Sequence, residues 1–155
     1  MNISAKMITL SEMPILKTLS SGQIELMATH AIFQKVAKNS IVYDTGQKIE
    51  YVYLIEKGSI KLGMLASCGK TLTKDLVYDL QIFGENIFTS GTTTREFAEA
   101  MVETKLYKIP VEVFKNIVFQ NNAFASEIML IIVSKLQNLE ERLQNFVFKK
   151  AKERI

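Results

Sequence analysis

Cysteine and histidine each occur once in the 155-residue chain, as Cys68 and His30, and this sets the first limit on its chemistry. One thiol cannot close an intrachain disulfide, and one Cys beside one His falls short of the ligands a structural zinc site needs. No metal site is expected. With no paired carboxylates at a glycine-rich turn either, there is no nucleophile and base to name, so the sequence reads as a non-enzyme. A lone unpaired cysteine fits a reducing cytoplasm.

The charge balance narrows the partners. Nineteen Lys and Arg against sixteen Asp and Glu leave a formal charge of +3, a weaker basic excess than nucleic-acid-binding domains usually gather on one face. Charge alone does not point to DNA. Hydrophobic residues make up 48% and charged residues 23%, a composition that can bury a core. The N-terminus MNISAKMITLSEM lacks a basic stretch followed by an apolar one. The longest unbroken apolar run, Ile128 to Val133, is far below the roughly 20 residues that cross a bilayer. No membrane association is expected.

These residues must be positioned by regular elements. Ser11 to Pro14 followed by Ile15, Leu16 and Leu19 predicts a short helix with Pro in its first turn, and a second helix is expected from Ser21 to Ala31. From Ile32 to Pro110 the chain changes to short runs rich in Val, Ile, Phe and Tyr: IVY, YVYLIEKG, SIKLGML, TLTKDLVYDL, IFGENIF and LYKI. Turn residues separate them at intervals of roughly 8 to 12 residues with no helix-length segment between, which predicts an antiparallel sandwich or barrel. The fold class is therefore α+β, an antiparallel β-roll with short N-terminal helices and a long C-terminal helix.

Pro110 opens a short helical pattern, VEVFKNIVFQ, with Val111, Phe114, Ile117 and Val118 on one side. Asn122 is the expected cap of a second helix, since no Gly or Pro interrupts the chain from Ala123 to Arg154. About 30 residues at 1.5 Å each make a rod near 45 Å long. Ala125, Met129, Ile132, Leu136, Leu139, Leu143 and Phe146 repeat at alternating fours and threes, the spacing of a coiled-coil seam. A homodimer through this helix is the expectation, because a small barrel cannot cover such a rod. Ile128, Ile131, Val133 and Val147 are expected to widen the apolar face toward the barrel. The chain divides into a barrel with flanking helices over 1–121 and a dimerisation helix over 122–155. Its end, with Lys149, Lys150, Lys152 and Arg154 but no helix-stop signal before Ile155, reads as a chain cut within a longer pattern.

In their order and spacing, several of these segments resemble the effector domain of CRP/FNR-type bacterial transcription regulators, the cyclic-nucleotide-binding-domain fold. They are Val42 to Gly46, YVYLIEKGSIKLG with its hairpin Gly58, the Ser67 to Lys70 turn, FGE at Phe83 to Glu85, and REFAEAMVETKLYKIP from Arg95 to Pro110. The resemblance covers nearly the whole chain. It implies a small-molecule effector, a cytoplasmic homodimer, and DNA contact through a winged helix-turn-helix that would follow Ile155 and is absent here.

In such regulators a Gly-Glu pair opens a turn whose backbone N–H groups face a cyclic phosphate. The Glu accepts a ribose hydroxyl, and a downstream Arg followed by Ser or Thr neutralises the phosphate. Gly84 and Glu85 match, with Asn86 beside them. Downstream, Thr94 falls where the resemblance expects the Arg, and Arg95 falls one position late. On extended chain a one-residue shift turns a side chain to the other face, although Gly91 and the threonines of TSGTTT could absorb it. The candidate ligand-binding residues are Gly84, Glu85, Asn86, Thr94 and Arg95, and the displaced Arg weakens the case for a cyclic nucleotide. Related sensors use haem or an iron–sulfur cluster. Cys68 alone cannot hold a cluster. Haem could take His30, Cys68, Met64, Met101 or Met129 as axial ligand, but a capping His, a turn Cys and core-filling methionines are the commoner roles.

Overall fold

The computed structural model describes residues 2–88 and 91–153, with Asn86, Lys152 and Glu153 described by backbone alone. The chain opens on α1, Ile3–Ser11, whose first turn is capped by the Asn2 side chain accepting from Ala5 N–H. The helix expected at Pro14 is a single 3₁₀ turn, Pro14–Leu16, which buries Ile15 and Leu16. α2, Ser21–His30, starts on a reciprocal pair in which Ser20 and Gln23 cap each other's backbone N–H.

Eight antiparallel strands follow: β1 Ile32–Val36, β2 Ile41–Tyr43, β3 Tyr51–Lys57, β4 Ile60–Leu65, β5 Thr71–Val77, β6 Ile82–Phe83, β7 Phe97–Ala100 and β8 Thr104–Pro110. They form two four-stranded sheets, ordered β1-β8-β3-β6 and β2-β7-β4-β5, so the expected antiparallel roll is present. The unbroken apolar run of β3 has a simple cause. Val52 and Leu54 face the helices with Tyr107 and Ile109, whereas Tyr53 and Ile55 face the barrel interior with Leu106 and Phe83. Both faces are buried, and the period of two divides one strand between two cores.

β8 leads into α3, Val111–Gln120, and a bend of 115° separates it from α4, Asn122–Glu153. The cap of α4 lies one residue earlier than expected. Asn121, not Asn122, accepts from Phe124 N–H, while its amide donates to Thr18 C=O and Gln23 Oε1. This one side chain ties the corner to α2. Phe124 and Ile128 are buried in the helical core, and Phe124 meets Phe114 edge-on at 5.6 Å.

Beyond Ile131, α4 leaves the core. Met129, Ile132, Leu136, Leu139, Leu143 and Phe146 of the seam are 36% to 63% exposed. Ala125 differs, because it is half-buried and packs with Ile131 against the helical core. Val133 and Val147 do not face the barrel as expected; both are exposed, Val133 because the neighbouring Ile132 and Lys135 take the side of α4 that meets the barrel. The basic residues Arg154 and, by side chain, Lys152 lie outside the described residues.

Candidate functional site

α4 crosses the barrel beside the turn that follows β6, and the two enclose a cleft of about 380 Å³. That volume lies in the range of about 300–1,000 Å³ typical of small-molecule sites. One wall is Gly84, Glu85 and Phe88 with the strand residues Leu62 and Lys74 and with Glu96 just before β7; the other is α4, from Ile132 to Arg142. The placement follows from local structure. Gly84 has φ +86°, and a Cβ there would come within 3.0 Å of the Tyr53 ring and 3.3 Å of Tyr51 C=O. Only glycine fits both the backbone and the space. The chain can then turn into the 3₁₀ segment Glu85–Phe88 and present Glu85 to the helix.

Four charged side chains of the cleft, Lys74, Glu85, Glu96 and Lys135, are already paired. Lys135 Nζ of α4 donates to Glu85 Oε1 at 2.6 Å and lies 3.7 Å from Asp75 of β5. On the strand side the Glu96 carboxylate is buried, accepting from Tyr43 O–H at 2.5 Å through one oxygen and from Lys74 Nζ at 2.6 Å through the other. Burial, and then the charge and hydrogen bond of Glu96, push the Tyr43 phenol far up, so it stays a donor. The ring of Tyr43 stands 5.5 Å from Tyr53, which stacks on Phe83 at 4.8 Å. Farther along α4, Arg142 donates to the Thr73 and Lys74 carbonyls of β5. Glu85 Oε2 alone has no partner although it is buried.

Gly84 and Glu85 therefore stand at the cleft, together with Ile132, Leu136 and Leu139 from the seam. The side chain of Asn86 lies outside the described residues. Thr94 is buried behind Gly84, lining a small pocket with Tyr43 and Tyr53, and its Oγ1 exchanges hydrogen bonds with the backbone of Glu96. Arg95 is exposed and does not line the cleft. Among the described residues the one-residue shift is kept, because Gly46 N–H donates to Thr94 C=O and Thr94 N–H donates to Gln47 C=O, fixing the register of Thr94; Thr89 and Ser90 of the same loop lie outside the described residues. None of His30, Cys68, Met64, Met101 and Met129 lines the cleft.

Sequence reasoning missed Lys74, Glu96, Tyr43, Lys135, Asp75 and Arg142. A weak signal existed for one of them: Lys135 interrupts the apolar pattern of α4 one residue before Leu136. The Lys74–Glu96 pair joins strands 22 residues apart and left no local trace.

Two packed antiparallel sheets with a long helix laid beside them define a β-roll of the cyclic-nucleotide-binding type. Comparison with known proteins agrees. The chain belongs to the cyclic nucleotide-binding domain family, whose model matches residues 33–121. It is homologous to CRP/FNR-type regulators, with 25% identity over 130 residues to the anaerobic regulatory protein of Bacillus subtilis (strain 168), covering 83% of this chain and 55% of that one. The chain spans a little over half the length of the curated relatives it matches. The sensor domain of the transcriptional regulator DNR from Pseudomonas aeruginosa superposes with a TM-score of 0.75 at 16% identity, over 92% of this chain and 93% of that one. A regulatory subunit of a cAMP-independent protein kinase A from Trypanosoma cruzi, bound to guanosine, superposes with a TM-score of 0.72 at 14% identity, over 92% of this chain and 50% of that one.

The family makes a cyclic nucleotide the first ligand to test against the site, and the described residues of the cleft do not fit its phosphate. The strand wall carries the Glu96 carboxylate, while Arg95 lies outside the cleft. Lys74 and Lys135 are each held by a carboxylate at 2.6 Å. Diverting either to a phosphate would leave Glu96 or Glu85 charged, largely buried and unpaired, which is strongly unfavourable.

Proposed function

We propose that the chain is the effector-sensing and dimerisation module of a CRP/FNR-type transcription regulator. The supporting observation is the cleft itself, walled on one side by the barrel and on the other by α4, with Lys135 and Arg142 spanning the two. A small molecule entering there contacts both elements, so its binding energy differs between positions of α4, as allosteric coupling requires. α4 pairs with its copy through Met129, Ile132, Leu136, Leu139, Leu143 and Phe146 and passes the effector state to a DNA-binding domain joined beyond it. The module works in the cytoplasm as a regulator without catalytic activity. This reading accords with the relatives, two of which are named as transcriptional regulators and one as an anaerobic regulatory protein, and with the fact that no single described helix is long and apolar enough to cross a membrane.

The alternative of a stand-alone cyclic-nucleotide module is disfavoured by Glu96. One neighbour of the same fold is described as cAMP-independent and bound to guanosine, which suits a cleft whose charges are already paired. Sedimentation velocity tests the pairing: a dimer is expected for this chain, and a monomer at tens of micromolar, on the order of protein concentrations where specific weak pairs assemble, would sink the proposal.

A further inference from the structure

We infer that the cleft selects its effector by charge, taking an uncharged, nucleoside-sized molecule that offers an N–H or O–H donor and refusing cyclic nucleotides. This rests on the reading of the cleft as the effector site and adds the chemical class of the ligand. Three carboxylates, Asp75, Glu85 and Glu96, and three cations, Lys74, Lys135 and Arg142, line the cleft. Its formal charge is zero before anything binds.

The pairing is short and poorly hydrated. The Glu96 and Glu85 side chains retain 7% and 16% of their exposure, and each holds its lysine at 2.6 Å. An anion can gain Lys74 or Lys135 only by taking it from a buried carboxylate, with which it would then share a small volume, and the third cation, Arg142, is already held by the Thr73 and Lys74 carbonyls of β5. A neutral molecule leaves both pairs intact.

What Glu85 lacks is a second donor. Glu85 Oε2 is buried with no hydrogen bond, the kind of unsatisfied acceptor that a ligand hydroxyl or amine can complete. Leu62, Phe88, Ile132, Leu136 and Leu139 supply apolar walls for a flat, weakly polar body. Because Oε2 is covered in the present arrangement, a donor reaches it as α4 shifts, with Lys135 remaining on Oε1. Ligand entry and displacement of α4 are then one event.

Guanosine against cyclic GMP, and adenosine against cyclic AMP, isolate the phosphate as the variable. Titrating each into the chain and following backbone amide shifts by NMR, saturable changes at Glu85 and Leu136 are expected with at least one nucleoside. Its cyclic phosphate is expected to bind at least about tenfold more weakly, a measurable separation of dissociation constants. The paired substitution Thr94→Arg with Glu96→Gln replaces the strand-side anion by a cation and is expected to reverse that order. Glu96→Gln alone should narrow the gap, and this arm stands even if the paired variant melts. Equal or tighter binding of a cyclic nucleotide to the unaltered chain overturns the inference. So does nucleoside binding away from the cleft. If no nucleoside binds while the paired variant binds a cyclic nucleotide there, the ligand class is wrong and the effector site stands. If no probe moves the cleft amides in any variant, the effector-site reading falls as well.

Discussion

Tyr43, Glu96 and Lys74 form a chain of hydrogen bonds in which each carboxylate oxygen has one donor. Removing an end of such a chain costs more than the bond removed, since the carboxylate stays buried. Lys74→Ala is expected to destabilise the fold by about 2 kcal/mol in denaturant titrations, a figure held down by the partial exposure of Lys74. Tyr53 gives a pH dependence of definite sign. Burial, followed by Tyr51 and Glu50, pushes its phenol from 10.0 up to about 12. Above pH 10 the unfolded chain therefore releases a proton that the native chain keeps. This contribution to stability is intact below about pH 10 and is lost as the pH climbs toward about 12, in the same direction as that of Tyr43. Urea midpoints measured across this window should fall, and Tyr53→Phe should make the fall shallower. At this scale the sequence was least informative. Gly84 and Glu85 could be placed because a glycine and its neighbour act locally, but the cation missing from Thr94 was supplied to Glu96 by a strand distant in sequence.

Elements were more legible, and the departures have local causes. Strands and turns from Ile32 to Pro110 follow side-chain type and glycine position, and the sheets they form match that reading. α1 was missed because its β-branched residues and mostly exposed faces give little helical signal, and Asn2 with buried Leu10 holds it in place. The α4 cap moved to Asn121 because that residue also bonds α2, a tertiary contact invisible in a local pattern. Gly58 joins β3 to β4 at φ +130°, where an added Cβ would lie 2.4 Å from Thr104 Oγ1 and 2.8 Å from its Cα. Gly58→Ala thus meets both backbone strain and a contact with backbone of β8. A loss of about 2 kcal/mol or more is expected by chemical denaturation, whereas Gly69→Ala, with nothing within 4 Å of the added atom, should cost less.

For the molecule as a whole, α4 exposes an apolar stripe, which the proposed pairing would cover with the matching stripe of a second copy. Leu136→Asp together with Leu143→Asp is expected to yield a monomer in sedimentation velocity, with the thermal melt of the barrel nearly unchanged because both residues are exposed in the single chain. Loss of the barrel transition would show that α4 supports the monomer fold instead. The heptad spacing was readable in sequence, but the cleft was not, because it forms only where a helix and a roll specified by separate patterns come to lie side by side.

The corner at Asn121 has a mechanical consequence. α4 is rooted in the core through Phe124 and Ile128 and is held farther out by the polar contacts of Lys135 and Arg142, so it resembles a lever with a buried fulcrum and a releasable catch. From Phe124 to Glu153 the arm is about 44 Å long at 1.5 Å per residue. A tilt of about 5° at the root would move Lys135, about 17 Å along the arm, by about 1.4 Å and the tip by about 4 Å, so a small adjustment beside Glu85 becomes a displacement comparable to the width of a side chain at the far end.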